Sequence, residues 1–139
     1  MRQAAWLTAV VLGVSAMVQT ARADEYSDAN QLATERESAG KLDEAAEALE
    51  TIAPQYPQDV ELALRIAWRR FRATSYRKAL RHYRDAQRLS PGSVDAQRGI
   101  GWSLQRLGFC DDARPYFSAL VTQNPNLGVA KDGLAACPV

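Results

Sequence analysis

Few side chains in this 139-residue chain could do chemistry, and their spacing limits which chemistry. The only histidine is His82, and the only cysteines are Cys110 and Cys137, 27 positions apart. A protein zinc site takes about four His, Cys or carboxylate ligands at close paired spacings, which this set cannot supply. Neither a glycine-rich phosphate loop nor a Gly-x-Ser-x-Gly nucleophile elbow occurs. The run "DEAAEALE", residues 43–50, spaces its acids as a helix surface does, so it reads as a hydrated face and not as a general acid–base pair. His82 stands among Arg81 and Arg84 and reads as a solvated side chain. The expectation is no metal, no cofactor and no catalysis.

What remains is non-covalent recognition. "RIAWRRF" centres Trp68 among arginines, and 34 residues later "GIGWSLQ" places Trp102 after the same Ile-small pair. Two large aromatics one fixed period apart are either core residues of a repeated fold or the lining of one surface.

The period runs through the chain. Pro57, Pro91 and Pro125 are 34 apart, as are Ala45, Ala79 and Ala113, and as are Leu32, Ile66, Ile100 and Leu134. The last four are followed by small residues: Ala33, Ala67, Gly101 and Ala135. A 34-residue period without insertions marks helix–turn–helix repeats. Leu62, Ala63, Ile66 and Ala67 form one apolar stripe at helical spacing, and Ala79, Leu80, Tyr83 and Ala86 form a second. Gly40 and Gly108 fall where the turn between paired helices needs a left-handed residue.

In these features the chain resembles the tetratricopeptide repeat family. "IGWSLQRLGFCDDARPYFSALVTQNP" is the fullest copy, with Ile100-Gly101, Gly108, Ala113, Phe117 and Pro125 in order. The middle copy has Thr74 at the turn glycine; the first has Ala29, Arg36 and Leu49 where the pattern carries aromatics, and Gln97 departs at the opening tryptophan of the third. The resemblance implies an all-α fold, an α-solenoid of three repeats near residues 26–59, 60–93 and 94–127. A capping helix over 128–137 covers the last apolar face.

The resemblance also implies a concave groove lined by first helices. The Ile-small pairs face inward against the second helix, and Trp68 and Trp102, two positions on, lie about 200° away. Asn30, Thr34, Leu64, Trp68, Phe71, Arg72, Arg98, Trp102, Gln105 and Arg106 are then the groove residues; the alternative makes both indoles wedges between repeats. The Lys/Asn/Arg clamp with which some members hold a chaperone's C-terminal carboxylate is missing: the matching positions carry Asn30, Thr34, Arg65, Asp95 and Gly99. The same architecture brings Cys110, opening a second helix, beside Cys137 at the end of the capping helix. In an oxidising compartment a disulfide is expected there, against two unpaired thiols.

"MRQAAWLTAVVLGVSAMVQTARA", residues 1–23, has a basic start, an apolar stretch and a closing Ala-Arg-Ala, the layout of a secretory signal removed after Ala23. The alternative is a retained anchor, although the apolar stretch is shorter than the roughly 20 residues that span hydrocarbon. The remaining chain, 24–139, is one domain. It is expected in the bacterial periplasm or secreted, without stable membrane insertion after removal.

Net charge near zero gives no case for nucleic acid. Residues 24–59 nevertheless hold ten acids against Arg36 and Lys41, a net of −8, and residues 60–93 hold nine bases against Glu61 and Asp85, a net of +7. These features give a non-enzymatic adaptor in the envelope that binds a protein or peptide. The alternatives are a carbohydrate module for an exported polysaccharide, using Trp68 and Trp102, and a homo-oligomer that pairs the two charged segments.

Overall fold

The structure is a computed structural model that describes residues 4–139, with side chains from Gly13 onward; Met1, Arg2 and Gln3 of the basic start lie outside the described residues. Seven α-helices follow in order among the described residues: α1 (Ala4–Ser38), α2 (Leu42–Glu50), α3 (Val60–Arg72), α4 (Tyr76–Leu89), α5 (Val94–Arg106), α6 (Cys110–Gln123) and α7 (Gly128–Ala136). Consecutive helices pack on one another, and α3 also touches α5 while α5 touches α7, which is the layering of a solenoid.

The period sets the helix boundaries as well as the core. Asp59 and Ser93, 34 apart, cap α3 and α5 by accepting from Leu62 N at 2.9 Å and Ala96 N at 3.1 Å. Turns between paired helices close on a residue at positive φ: Gly40 at 76°, Thr74 at 62° and Gly108 at 86°. Threonine is β-branched, and the left-handed region costs a non-glycine residue roughly 1–2 kcal/mol. Glycine gives back part of that gain through the entropy of the unfolded chain. Thr74→Gly should therefore stabilise the protein by about 0.5–1 kcal/mol, read as a higher urea midpoint at unchanged slope. An unchanged or lower midpoint would mean that the Thr74 side chain compensates its strain.

The inward pairs divide their work, which corrects the expectation that both members face their own second helix. Ile66 joins the cluster of Ala45, Leu49 and Ile52 from the preceding repeat, whereas Ala67 joins Ala79 and Tyr83 of its own. Gly101 likewise abuts Phe117 of its own repeat, where a Cβ would lie 2.8 Å from the ring. The array ends follow from this division. Among the described residues no repeat packs before Leu32, which is 41% exposed, and no second helix packs on Ala135, which is exposed.

The long first helix carries the apolar stretch of the start directly into the first repeat. Tyr56 Oη donates to Arg22 O at 2.7 Å, and Tyr26 Oη donates to Asp59 Oδ2 at 3.2 Å. Among the described residues no helix is long and apolar enough to cross a membrane.

Much of the charge asymmetry is neutralised between neighbouring helices, and two expectations fail with it. Arg70 is 1% exposed. It donates to Asp43 Oδ1 at 2.7 Å and, through two nitrogens, to Glu50 at 3.0 and 2.7 Å. The acids of "DEAAEALE" are thus more than a hydrated face. His82 is buried, with Nε2 2.8 Å from Glu50 Oε1, and is not solvated. Its arginine neighbours in sequence describe only its own helix; Glu50 reaches it from the preceding repeat, 32 positions away. Burial pulls the imidazole below its ordinary pKa, and Glu50 only partly opposes that.

Candidate functional site

A cavity of about 440 Å³ opens between α3, α5 and α7. Trp68 and Phe71 line it from α3, three positions apart and so on one helical face. Arg98, Trp102 and Arg106 line it from α5 as an i, i+4, i+8 stripe, and Val129 closes it from α7. Tyr83 on α4 reaches the wall because Gly99 leaves room: a Cβ at Gly99 would fall 2.3 Å from the Tyr83 ring.

The two tryptophans share the cavity but not the same surroundings. Trp68 is 52% exposed, and its ring stacks on Phe71 at 6.1 Å with 9° between the planes. Trp102 is half-buried and meets Phe117 edge-on at 5.3 Å and 66°. Sequence spacing alone treats them as equivalent. Trp102 rests on Phe117, whereas Trp68 stacks on Phe71 of its own helix and not on Tyr83, the residue that corresponds to Phe117.

Electrostatics divide the wall further. Arg98 is held by Asp95 at 2.6 Å, while Arg106 is exposed and makes no ion pair among the described residues. Burial pushes the Tyr83 phenol up to about 12, so it stays protonated and can act as a donor.

Of the expected groove residues, the cavity brings together Trp68, Phe71, Arg98, Trp102 and Arg106. Leu64 lines an adjoining depression with Arg65 and Asp95, which Trp68 also borders. Arg72 lies elsewhere, pairing with Glu37 beside the turn at Thr74. Gln105 is half-buried with Oε1 unpartnered and is not on the cavity wall. Asn30 and Thr34 stay on α1, where Thr34 Oγ1 donates to Asn30 O at 2.9 Å. Tyr83, Gly99 and Val129 were not expected. Tyr83 and Phe117, 34 apart, each face a glycine 16 residues on, Gly99 and Gly133, so an aromatic–glycine pairing at that interval was a legible signal.

Cys110 and Cys137 are joined as a disulfide with Cα atoms 5.1 Å apart, fastening the end of α7 to the start of α6. Among the described residues no group of three potential metal ligands comes together.

A family profile described as tetratricopeptide repeat matches residues 30–93 and again 64–127. The chain belongs to the tetratricopeptide repeat family. Members of this family are in general non-catalytic modules for interaction between proteins.

Solved tetratricopeptide structures superpose over most of the chain. The second such domain of human RPAP3, in complex with the HSP70 peptide SGPTIEEVD, is 17% identical with a TM-score of 0.72, covering 82% of this chain and 95% of that one. The first such domain of Spaghetti (RPAP3), bound to the HSP90 peptide SRMEEVD, is 19% identical with a TM-score of 0.70, covering 81% and 89%. A mutant O-GlcNAc transferase from Thermobaculum terrenum, 19% identical with a TM-score of 0.65, covers 83% of this chain, but the match spans only 22% of the transferase. No curated protein sequence matches the chain. At these identities the likeness establishes the tetratricopeptide fold.

Proposed function

We propose that this tetratricopeptide domain is a non-catalytic adaptor that holds a peptide segment of a partner protein between α3, α5 and α7. One observation carries the reading. Two indoles on neighbouring first helices face one open cavity, with the unpaired Arg106 at its edge. Aromatic side chains offer contact area at low entropy cost, and a free guanidinium selects a carboxylate by paired hydrogen bonds. The segment that fits has an aromatic or large apolar side chain for the cavity and an acidic residue for Arg106. The two RPAP3 domains, which bind acidic peptides, support a peptide as the class of ligand. The signal-like start and the disulfide support an oxidising compartment such as the periplasm as the adaptor's location.

An array of short peptides that vary the aromatic and the acid, read by indole fluorescence, tests this directly. Trp68→Ala should leave stability within about 0.5 kcal/mol, because the side chain is half exposed, and weaken peptide binding about 30-fold. Trp102→Ala should weaken binding similarly and also cost about 2–3 kcal/mol of stability, because its edge contact with Phe117 is lost. Binding of glycans instead of peptides would replace this reading by the carbohydrate one. Unchanged binding in both variants would move the site elsewhere.

A further inference from the structure

Two groups of the charges that the fold leaves unpaired form stripes, one on α1 and one on α4. At 100° per residue, Asp24, Glu25, Asp28 and Glu35 fall within an arc of roughly 120° on α1, with Leu32 among them. All are exposed, and none makes an ion pair among the described residues. This arc looks outward at the open end of the solenoid, where Asp28 and Leu32 border a depression with Ala29 and Ile52. On α4, Arg77, Lys78, Arg81, Arg84 and Arg88 occupy an arc of the same width, all exposed. Only Arg88 has an acidic partner, Asp85 at 3.2 Å.

The two stripes have the same internal spacing and opposite sign. Asp24, Glu25, Asp28 and Glu35 are separated by the same steps of 1, 3 and 7 residues as Arg77, Lys78, Arg81 and Arg88. Each stripe also adjoins apolar surface. Leu32 is 41% exposed beside the carboxylates, and Phe109, 45% exposed, lies in a cleft with Leu80 and Leu107 between Arg77 and Arg84. Within one chain α1 and α4 are held apart by the helices between them, so the stripes cannot satisfy each other there.

We infer that α1 of one copy docks on α4 of a second copy, with Leu32 against the Phe109 cleft. The occupant is another copy because this chain itself presents a partner with matching charge spacing and a matching apolar neighbour. Two copies that make this contact reciprocally about a two-fold axis close as a dimer, and copies that make it head to tail extend as a ring or filament. It leaves the cavity between α3, α5 and α7 open, and so stands independently of what that cavity binds.

Sedimentation of the full chain tests this by exchange of charge. Raising salt from about 20 mM to about 300 mM shortens the screening length from roughly 20 Å to under 6 Å. The average mass should rise well above the monomer at the lower salt and return to the monomer at the higher. Arg81→Glu/Arg84→Glu should be monomeric at low salt, as should Asp28→Arg/Glu35→Arg, with helical circular dichroism unchanged in each. An equal mixture of the two variants should associate again, since each then presents what the other lacks. A wild-type monomer at low salt at every concentration overturns the inference, including the case in which the monomer binds anionic lipid vesicles instead. Self-association that survives in either variant, or a mixture that stays monomeric, overturns it as well.

Discussion

Replacing Arg70 with methionine should cost roughly 3–5 kcal/mol, the usual loss when one member of a buried ion pair is removed. The guanidinium is 1% exposed and binds Glu50 through two nitrogens and Asp43 through a third. Without it, two carboxylates stay at the seam between repeats with only Ser75 and His82 as donors. Asp43 and Glu50 are not fully enclosed, so rehydration draws the loss toward the lower end of that range. Arg70→Met combined with Glu50→Gln should recover part of it, because one of the two unpaired carboxylates is then gone. Chemical unfolding of the single and double variants at neutral pH gives the numbers. A loss under about 1 kcal/mol for Arg70→Met would show that the network is no better than surface pairing.

The same network fixes how stability follows pH. Burial works to raise Glu50 and Asp43, and the hydrogen bonds from Arg70 outweigh it, with help from His82 at Glu50 and Ser75 at Asp43; both carboxyls sit below their ordinary values. His82 is also depressed, by burial. Each group therefore binds fewer protons folded than unfolded, so each contributes stability at neutral pH that is lost on acidification. The loss from His82 sets in below about 6.5, and that from the carboxylates below about 4–4.5. Arg70→Met should flatten the lower part of the curve, since the strongest group holding those carboxyls down is then gone.

Local chemistry explains what was legible in the sequence. The 34-residue period, the turn glycines and the proline after each pair report backbone geometry, which recurs regardless of neighbours, so the solenoid could be read from them. Trp68, Phe71, Arg98, Trp102 and Arg106, which the resemblance to tetratricopeptide repeats implies as groove residues, share one cavity wall because they keep the helical spacing and the register between repeats. Contacts between different helices at non-periodic positions could not. His82 meets Glu50, and Arg72 leaves the groove for Glu37, because a long side chain chooses the nearest opposite charge in space. Leu32 fails for a related reason. It keeps the periodic residue type, but among the described residues no earlier member of the period covers it.

Reducing the Cys110–Cys137 bridge should cost about 3.5 kcal/mol, the loop-closure value for cysteines 27 apart. For a domain of this size that lowers the melting temperature by roughly 10–15 °C. α7 spans Gly128–Ala136, 9 residues, and a helix so short is marginal in water by itself. It is held by Ala130 and Gly133, the latter so close to the Phe117 ring that a Cβ would lie 2.3 Å away. The bridge at its last turn limits how far it can fray. Cys110→Ser/Cys137→Ser should melt where the reduced wild type melts and should no longer respond to reductant. The loss should also be visible in the cavity, because Val129 is its wall on α7 and Phe117 lies between α7 and Trp102. Acrylamide should then quench Trp102 more strongly after reduction, in a Trp68→Phe background, while Trp68 in the converse background changes little. Equal melting temperatures with and without reductant would show that packing on Phe117 holds α7 without the bridge.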